Sequence, residues 1–114
     1  MQLYFLEIVT RDVDAVCDAY QRTHGVTFSD PVPEFGNART ADMPGGGMYS
    51  VRAPMAEVEE PVVRPYMLVE DIEAATAAAV EAGAELAHPP MEIPGRGKFS
   101  IYILGENHFG LWER

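Results

Sequence analysis

The chain has 114 residues, with eight basic against eighteen acidic side chains and a formal charge of −10. That length argues for one domain, and 47% hydrophobic with 23% charged residues is the balance of a globular chain with a core of its own. The acidic excess excludes a nucleic-acid backbone as partner, because like charges repel at long range.

Other features narrow the class. No apolar run reaches the ~18 residues that a membrane span needs. Residues 1–12 lack the basic flank, apolar stretch and small-residue cleavage site of a signal peptide. The single cysteine, Cys17, excludes an internal disulfide and fits a reducing cytoplasm.

In chain order, residues 3–9 are apolar except for Glu7 and predict a strand. Asp12 stands where its carboxylate can cap a helix. Val13, Val16, Cys17 and Tyr20 recur at helical spacing, and Gly25 stops the helix. Short β segments follow at 26–29, 38–41 and 48–52, broken by Pro and Gly. The stretch 54–63, rich in carboxylates and prolines, reads as a linker. A second strand then comes at 66–69, a cap at Asp71, an alanine-rich helix over 72–82 and a stop at Gly83. Further β segments are expected at 85–87, 99–104 and 108–113.

The second series repeats the first. Setting Asp12 on Asp71 puts Val13 on Ile72, Asp14 on Glu73 and Ala15 on Ala74. With a slip of one residue, Gly25 falls on Gly83, Pro31 on Pro89 and Glu34 on Glu92. The expected object is a tandem duplication within one domain, with modules at 1–53 and 64–114 joined by 54–63. Its fold class is α+β, two tandem βαβββ modules.

This plan resembles the vicinal oxygen chelate superfamily, which includes glyoxalase I, bleomycin-resistance proteins and extradiol dioxygenases. The likeness is carried by Val9-Thr10-Arg11-Asp12, by Arg64-Pro65-Tyr66-Met67-Leu68-Val69-Glu70-Asp71-Ile72 and by Gly110-Leu111-Trp112. The resemblance implies two small curved sheets that pair into a cup around a ligand. It also implies four metal-ligand slots on the first and last strands of each module. In this sequence those slots read Phe5, Ser50, Arg64 and Gly110. A phenyl ring and a glycine cannot ligate by side chain, Arg is cationic and Ser is a poor neutral ligand. His24, His88 and His108 show no two-histidine spacing. No metal and no cofactor are expected.

Strand alternation puts Leu3, Phe5, Glu7 and Val9 on one face, which the resemblance turns into the cup. A carboxylate in such an apolar run must be paired, protonated or wet. Glu7 therefore reads as an internal ion pair fixing the modules together, as a ligand-facing acid, or as an edge position. Arg64 and Tyr66 are its natural partners, and Arg52, His108 and Trp112 lie on the equivalent face of the later strands. The candidate ligand-binding set is Phe5, Glu7, Arg52, Arg64, Tyr66, His108 and Trp112, with Glu7, Arg64 and His108 as catalytic candidates. The segments 94–98 and 45–47 read as turns, and Cys17 as a buried thiol.

Three functions fit these residues. The first is a metal-free binding or sequestering protein for a small molecule, like the bleomycin-resistance members. The second is a metal-independent lyase, isomerase or hydroxylase-like enzyme using Glu7 with Arg64 or His108. The third is an oligomeric interaction protein with a degenerate cup. A homodimer, a cytoplasmic location and no membrane partner complete the expectation.

Overall fold

The computed structural model describes residues 1–114. Seven strands and two helices divide between two compact units, one of Phe5–Val63 and the other of Met1–Tyr4 with Arg64–Arg114. Each unit combines parallel and antiparallel strands of a seven-stranded sheet with one helix, so the α+β expectation holds.

In the first unit, β1 (Gln2–Val9) leads to α1 (Val13–His24), β2 (Arg39–Asp42) and β3 (Met48–Arg52). The strands lie in the order β2-β3-β1. β3 runs parallel to β1, from Phe5 opposite Met48 to Val9 opposite Arg52, and antiparallel to β2. The stripe of Val13, Val16, Cys17 and Tyr20 seats α1 on Ile8, Phe28, Ala41, Tyr49 and Val51. Burying each large apolar side chain there contributes ~1.5–3 kcal/mol. Gly25 ends α1 at φ 67°, a left-handed turn that a side chain would strain.

Two local expectations fail in this unit. Asp12 precedes α1 but its carboxylate makes no cap bond; its N–H instead donates to the Thr10 hydroxyl at 3.1 Å. Residues 26–29 are not a strand. They run beside β2 and join its backbone through Ser29 N–H to Thr40 C=O at 2.7 Å, without building a ladder.

The second unit carries β4 (Val62–Leu68), α2 (Ile72–Glu81), β5 (Glu85–Ile93), β6 (Gly97–Leu104) and β7 (Asn107–Glu113), with strands in the order β4-β7-β6-β5. β4 begins inside the stretch expected to be linker. Asp71 caps α2 by accepting from Ala74 N–H at 3.1 Å, and the helix closes at Ala82, one residue before Gly83. β5 extends well past the expected 85–87, through Pro89 and Pro90. It lies at the edge of the order, where a missing N–H breaks no inner ladder, and its pairing with β6 shifts register around these residues.

The repeat is visible in the hydrogen bonds. Glu7 stands opposite Ser50 between β1 and β3, as Tyr66 stands opposite Gly110 between β4 and β7. Thr10 N–H donates to Arg52 C=O at 2.9 Å, and Val69 N–H donates to Trp112 C=O at 2.8 Å. The two copies thus share one strand register, in which Arg52 corresponds to Trp112.

Candidate functional site

In the first unit, the residues that alternate with Ile8 are Phe5, Glu7 and Val9, and all are buried. Parallel pairing with β3 brings Glu7 close to Arg52. The guanidinium donates through Nε to Glu7 Oε2 at 2.9 Å, and through Nη1 and Nη2 to the two oxygens of Glu59, both at 2.8 Å. Nη1 also donates to the Ala53 carbonyl at 3.3 Å. The side-chain bond from Glu59 is the largest influence on Arg52 and holds its pKa above the usual arginine range; burial opposes it and Glu7 adds to it. Arg52 is therefore a fixed cation clasped by two carboxylates. Phe5 meets Phe35 edge-on, with ring centroids 5.3 Å apart.

Glu59 was invisible in the sequence because it lies in a stretch read as linker. Its only signal was a carboxylate within reach of the arginine that ends β3. Sequence reasoning named residues of the other half as the natural partners of Glu7 and did not single out Arg52, a partner from the same half.

In the second unit, β4 and β7 bring Arg64 beside His108. Nη2 of Arg64 lies 3.3 Å from Nδ1 of His108. A guanidinium only donates, so Nδ1 accepts and the imidazole proton of this neutral tautomer sits on Nε2. Tyr66, Phe99 and Trp112 form a ring cluster with centroids 6.0–6.3 Å apart, in the range where aromatic pairs attract. Trp112 Nε1 donates to the Arg96 carbonyl at 3.3 Å, and Tyr4 and His88 flank the cluster. Gly110 makes room for it: a Cβ there would lie 2.1 Å from Tyr66 Cδ2.

The four implied ligand slots are now placed. Phe5 packs on Phe35, Ser50 is buried in the β1–β3 ladder, Arg64 donates to His108, and Gly110 lies under the Tyr66 ring. No group of three or more His, Cys, Asp or Glu side chains is arranged to hold a metal ion. The three histidines have separate surroundings: His24 stacks on Tyr20, His88 Nδ1 contacts the Pro89 carbonyl, and His108 takes Arg64. The segments around Gly46 and Arg96 are turns closed by backbone bonds. Cys17 is in the core, and burial raises its thiol pKa, with Arg39 opposing and Asp14 assisting.

No family model matches the chain. No curated protein matches it. Solved structures do. Methylmalonyl-CoA epimerase from Mycobacterium tuberculosis superposes with a TM-score of 0.75 at 16% identity, over 98% of this chain and 87% of that one. A hypothetical protein from Bacillus halodurans C-125 gives 0.71 at 14%, over 99% and 94%. The Streptomyces coelicolor methylmalonyl-CoA epimerase in complex with 2-nitronate-propionyl-CoA gives 0.70 at 18%, over 99% and 96%. The chain shares their fold. At this identity the likeness reaches no further than the fold.

Proposed function

We infer that this chain is a glyoxalase-like protein of the vicinal oxygen chelate superfamily that binds a small organic molecule without a metal. The observation that carries this reading is the fate of the ligand slots. An aromatic ring fills the space over Gly110, and a permanent cation stands at Arg64 beside a neutral imidazole. A divalent ion there would meet a like charge, at a cost of several kcal/mol. The same residues suit an organic ligand: His108 offers Nε2–H, Arg64 a positive charge for an oxygen acceptor, and Tyr66 and Trp112 an aromatic wall. Binding of an acyl thioester analogue by one of the epimerases sharing the fold supports the ligand class.

A second reading, a metal-independent isomerase, is favoured by the epimerase names among the similar structures. It needs a free base. His108 Nδ1 accepts from Arg64, so His108 could take a proton only by breaking that contact, and Glu7 is already engaged by Arg52. Binding alone requires no such release and ranks first. The reading also includes a cytoplasmic location, consistent with the buried, unbridged Cys17, and a homodimer. A light-scattering mass near 12.5 kDa at micromolar concentration would remove the dimer.

Elemental analysis after chelator-free purification, with a thermal-shift screen of acyl thioesters and aromatic acids, tests the proposal. The expected result is no stoichiometric metal and at least one ligand that raises the midpoint in the wild type but not in His108→Ala. One Ni, Zn, Fe or Mn per chain, lost together with ligand binding, overturns it. Deuterium wash-in at the carbon next to a hit's carbonyl would promote the isomerase.

A further inference from the structure

Residues 53–61 run from β3 to β4 without helix or strand. Most of this strap is exposed, including two large apolar side chains, Met55 at 68% and Val58 at 87%. Glu59 fastens it. Its Oε1 accepts from the strap's own Met55 N–H at 2.7 Å, and both its oxygens accept from Arg52.

A fork of two parallel N–H bonds is how a guanidinium recognises any carboxylate. Glu7 steadies the Nε edge from the other side. Arg52 is thus a preassembled, buried carboxylate site filled by a side chain of its own chain. Beside it is a depression of about 350 Å³ lined by Val13, Gly36, Asn37, Ala53, Pro54 and Met55. A Cβ placed on Gly36 would be 2.8 Å from Met55 Sδ and 3.5 Å from Arg52 Cδ, so the Met55 thioether and the Arg52 stem both rest against Gly36. A molecule in the depression reaches Arg52 by displacing Met55 and Glu59, with no change to a strand or helix.

We propose that Glu59 is an internal plug, and that residues 53–61 form a gate opened by an organic monocarboxylate that takes its place on Arg52. The exchange conserves charge, one carboxylate for another, and leaves the Glu7 contact intact. Glu59 competes as a tethered ligand, at an effective concentration on the order of millimolar. A bare acetate therefore exchanges weakly, and a carboxylate with an apolar tail gains from filling the depression against Met55 and Val13. This site lies wholly in the first unit and stands independently of the ligand reading made for the second.

The test uses the full chain as wild type, Glu59→Ala and Glu59→Gln, with hexanoate as probe. Hexanol and sodium chloride at matched ionic strength are the controls. In Glu59→Ala the amides of residues 53–61 should exchange hydrogen at least tenfold faster than in the wild type, and the thermal midpoint should fall. Millimolar hexanoate should restore that midpoint and shift the Arg52 Nε signal, whereas the wild type should need at least tenfold more. Hexanol and chloride should do neither. Unchanged strap exchange in Glu59→Ala, equal hexanoate affinity in both proteins, or binding that leaves Arg52 Nε unmoved would each overturn the proposal. If Glu59→Ala does not fold, Glu59→Gln preserves the side chain's shape without its charge and must show the same ordering against the wild type.

Discussion

Replacing Arg52 by methionine keeps the bulk of its stem and deletes the guanidinium. Two carboxylates that now touch one cation then lose it: Glu7, whose side chain is 10% exposed, and Glu59, at 24%. Removing one partner of a buried ion pair costs ~3–5 kcal/mol, because the remaining charge stays in a poorly solvated place. Glu59 sits on an exposed strap and can swing into water, which favours the lower end, about 3 kcal/mol. A chain of this length loses ~4 °C or more per kcal/mol, so the midpoint should drop by roughly 12 °C or more. The surface pair Arg22–Asp18, with side chains 78% and 57% exposed, supplies the control. Arg22→Gln should change stability by less than ~1 kcal/mol.

In the wild type the carboxylate contacts hold Arg52 charged throughout the accessible range. Urea unfolding of the wild type and Arg52→Met at pH 7 measures the effect. A deficit below ~1 kcal/mol would show that the Arg52 cluster is not the electrostatic anchor described here.

Other changes test particular contacts. Gly110→Ala, at a position without positive φ, forces the Tyr66 ring to move and should cost ~1–3 kcal/mol; adding Tyr66→Leu should recover part of that loss in a double-mutant cycle. Asp71→Ala should cost ~1 kcal/mol by removing the Ala74 cap bond, while Asp12→Ala should cost clearly less, having no such bond to lose, as paired chemical melts would show. Thr76→Val strands the buried Ser100 hydroxyl, 2.8 Å from its partner, and should cost ~1–3 kcal/mol; Thr76→Val with Ser100→Ala should cost less than the sum of the single changes.

What the sequence disclosed follows from the range of each interaction. The α1 stripe, the Gly25 stop, the Asp71 cap and the register between the halves are set by neighbours a few residues apart, and all are present in the structure. Asp12 shows the limit of residue type: it stands where Asp71 does, yet its preceding Thr10 engages its N–H and no cap forms. The strand expected at 85–87 runs on through Pro89 and Pro90, because at a sheet edge proline removes no needed donor. The site was harder because its contacts are remote. Glu7 and Arg52 lie 45 residues apart and meet because β3 returns parallel to β1. Gly110 was legible as a missing ligand atom, but its reason, the Tyr66 ring lying over it, required the register of β4 and β7.

The two copies solve one packing problem with different physics. At matched ladder positions the first unit has Glu7 and Arg52, the second Tyr66 and Trp112. Each solution works only as a set. Tyr66 needs the glycine opposite, and Glu7 needs a cation within reach. A single exchange between copies, such as Ser50→Gly or Trp112→Arg, would supply half of a pair and gain nothing. The two sets also respond to different solutes. Ring packing in the second unit is indifferent to small ions and pH, because neither ring centroid carries a formal charge. The Arg52 cluster reaches the surface through Glu59, where another carboxylate can compete. The first unit therefore holds an element that answers to carboxylates through Arg52, so changes in backbone exchange caused by a competing carboxylate at that cluster should concentrate in residues 53–61.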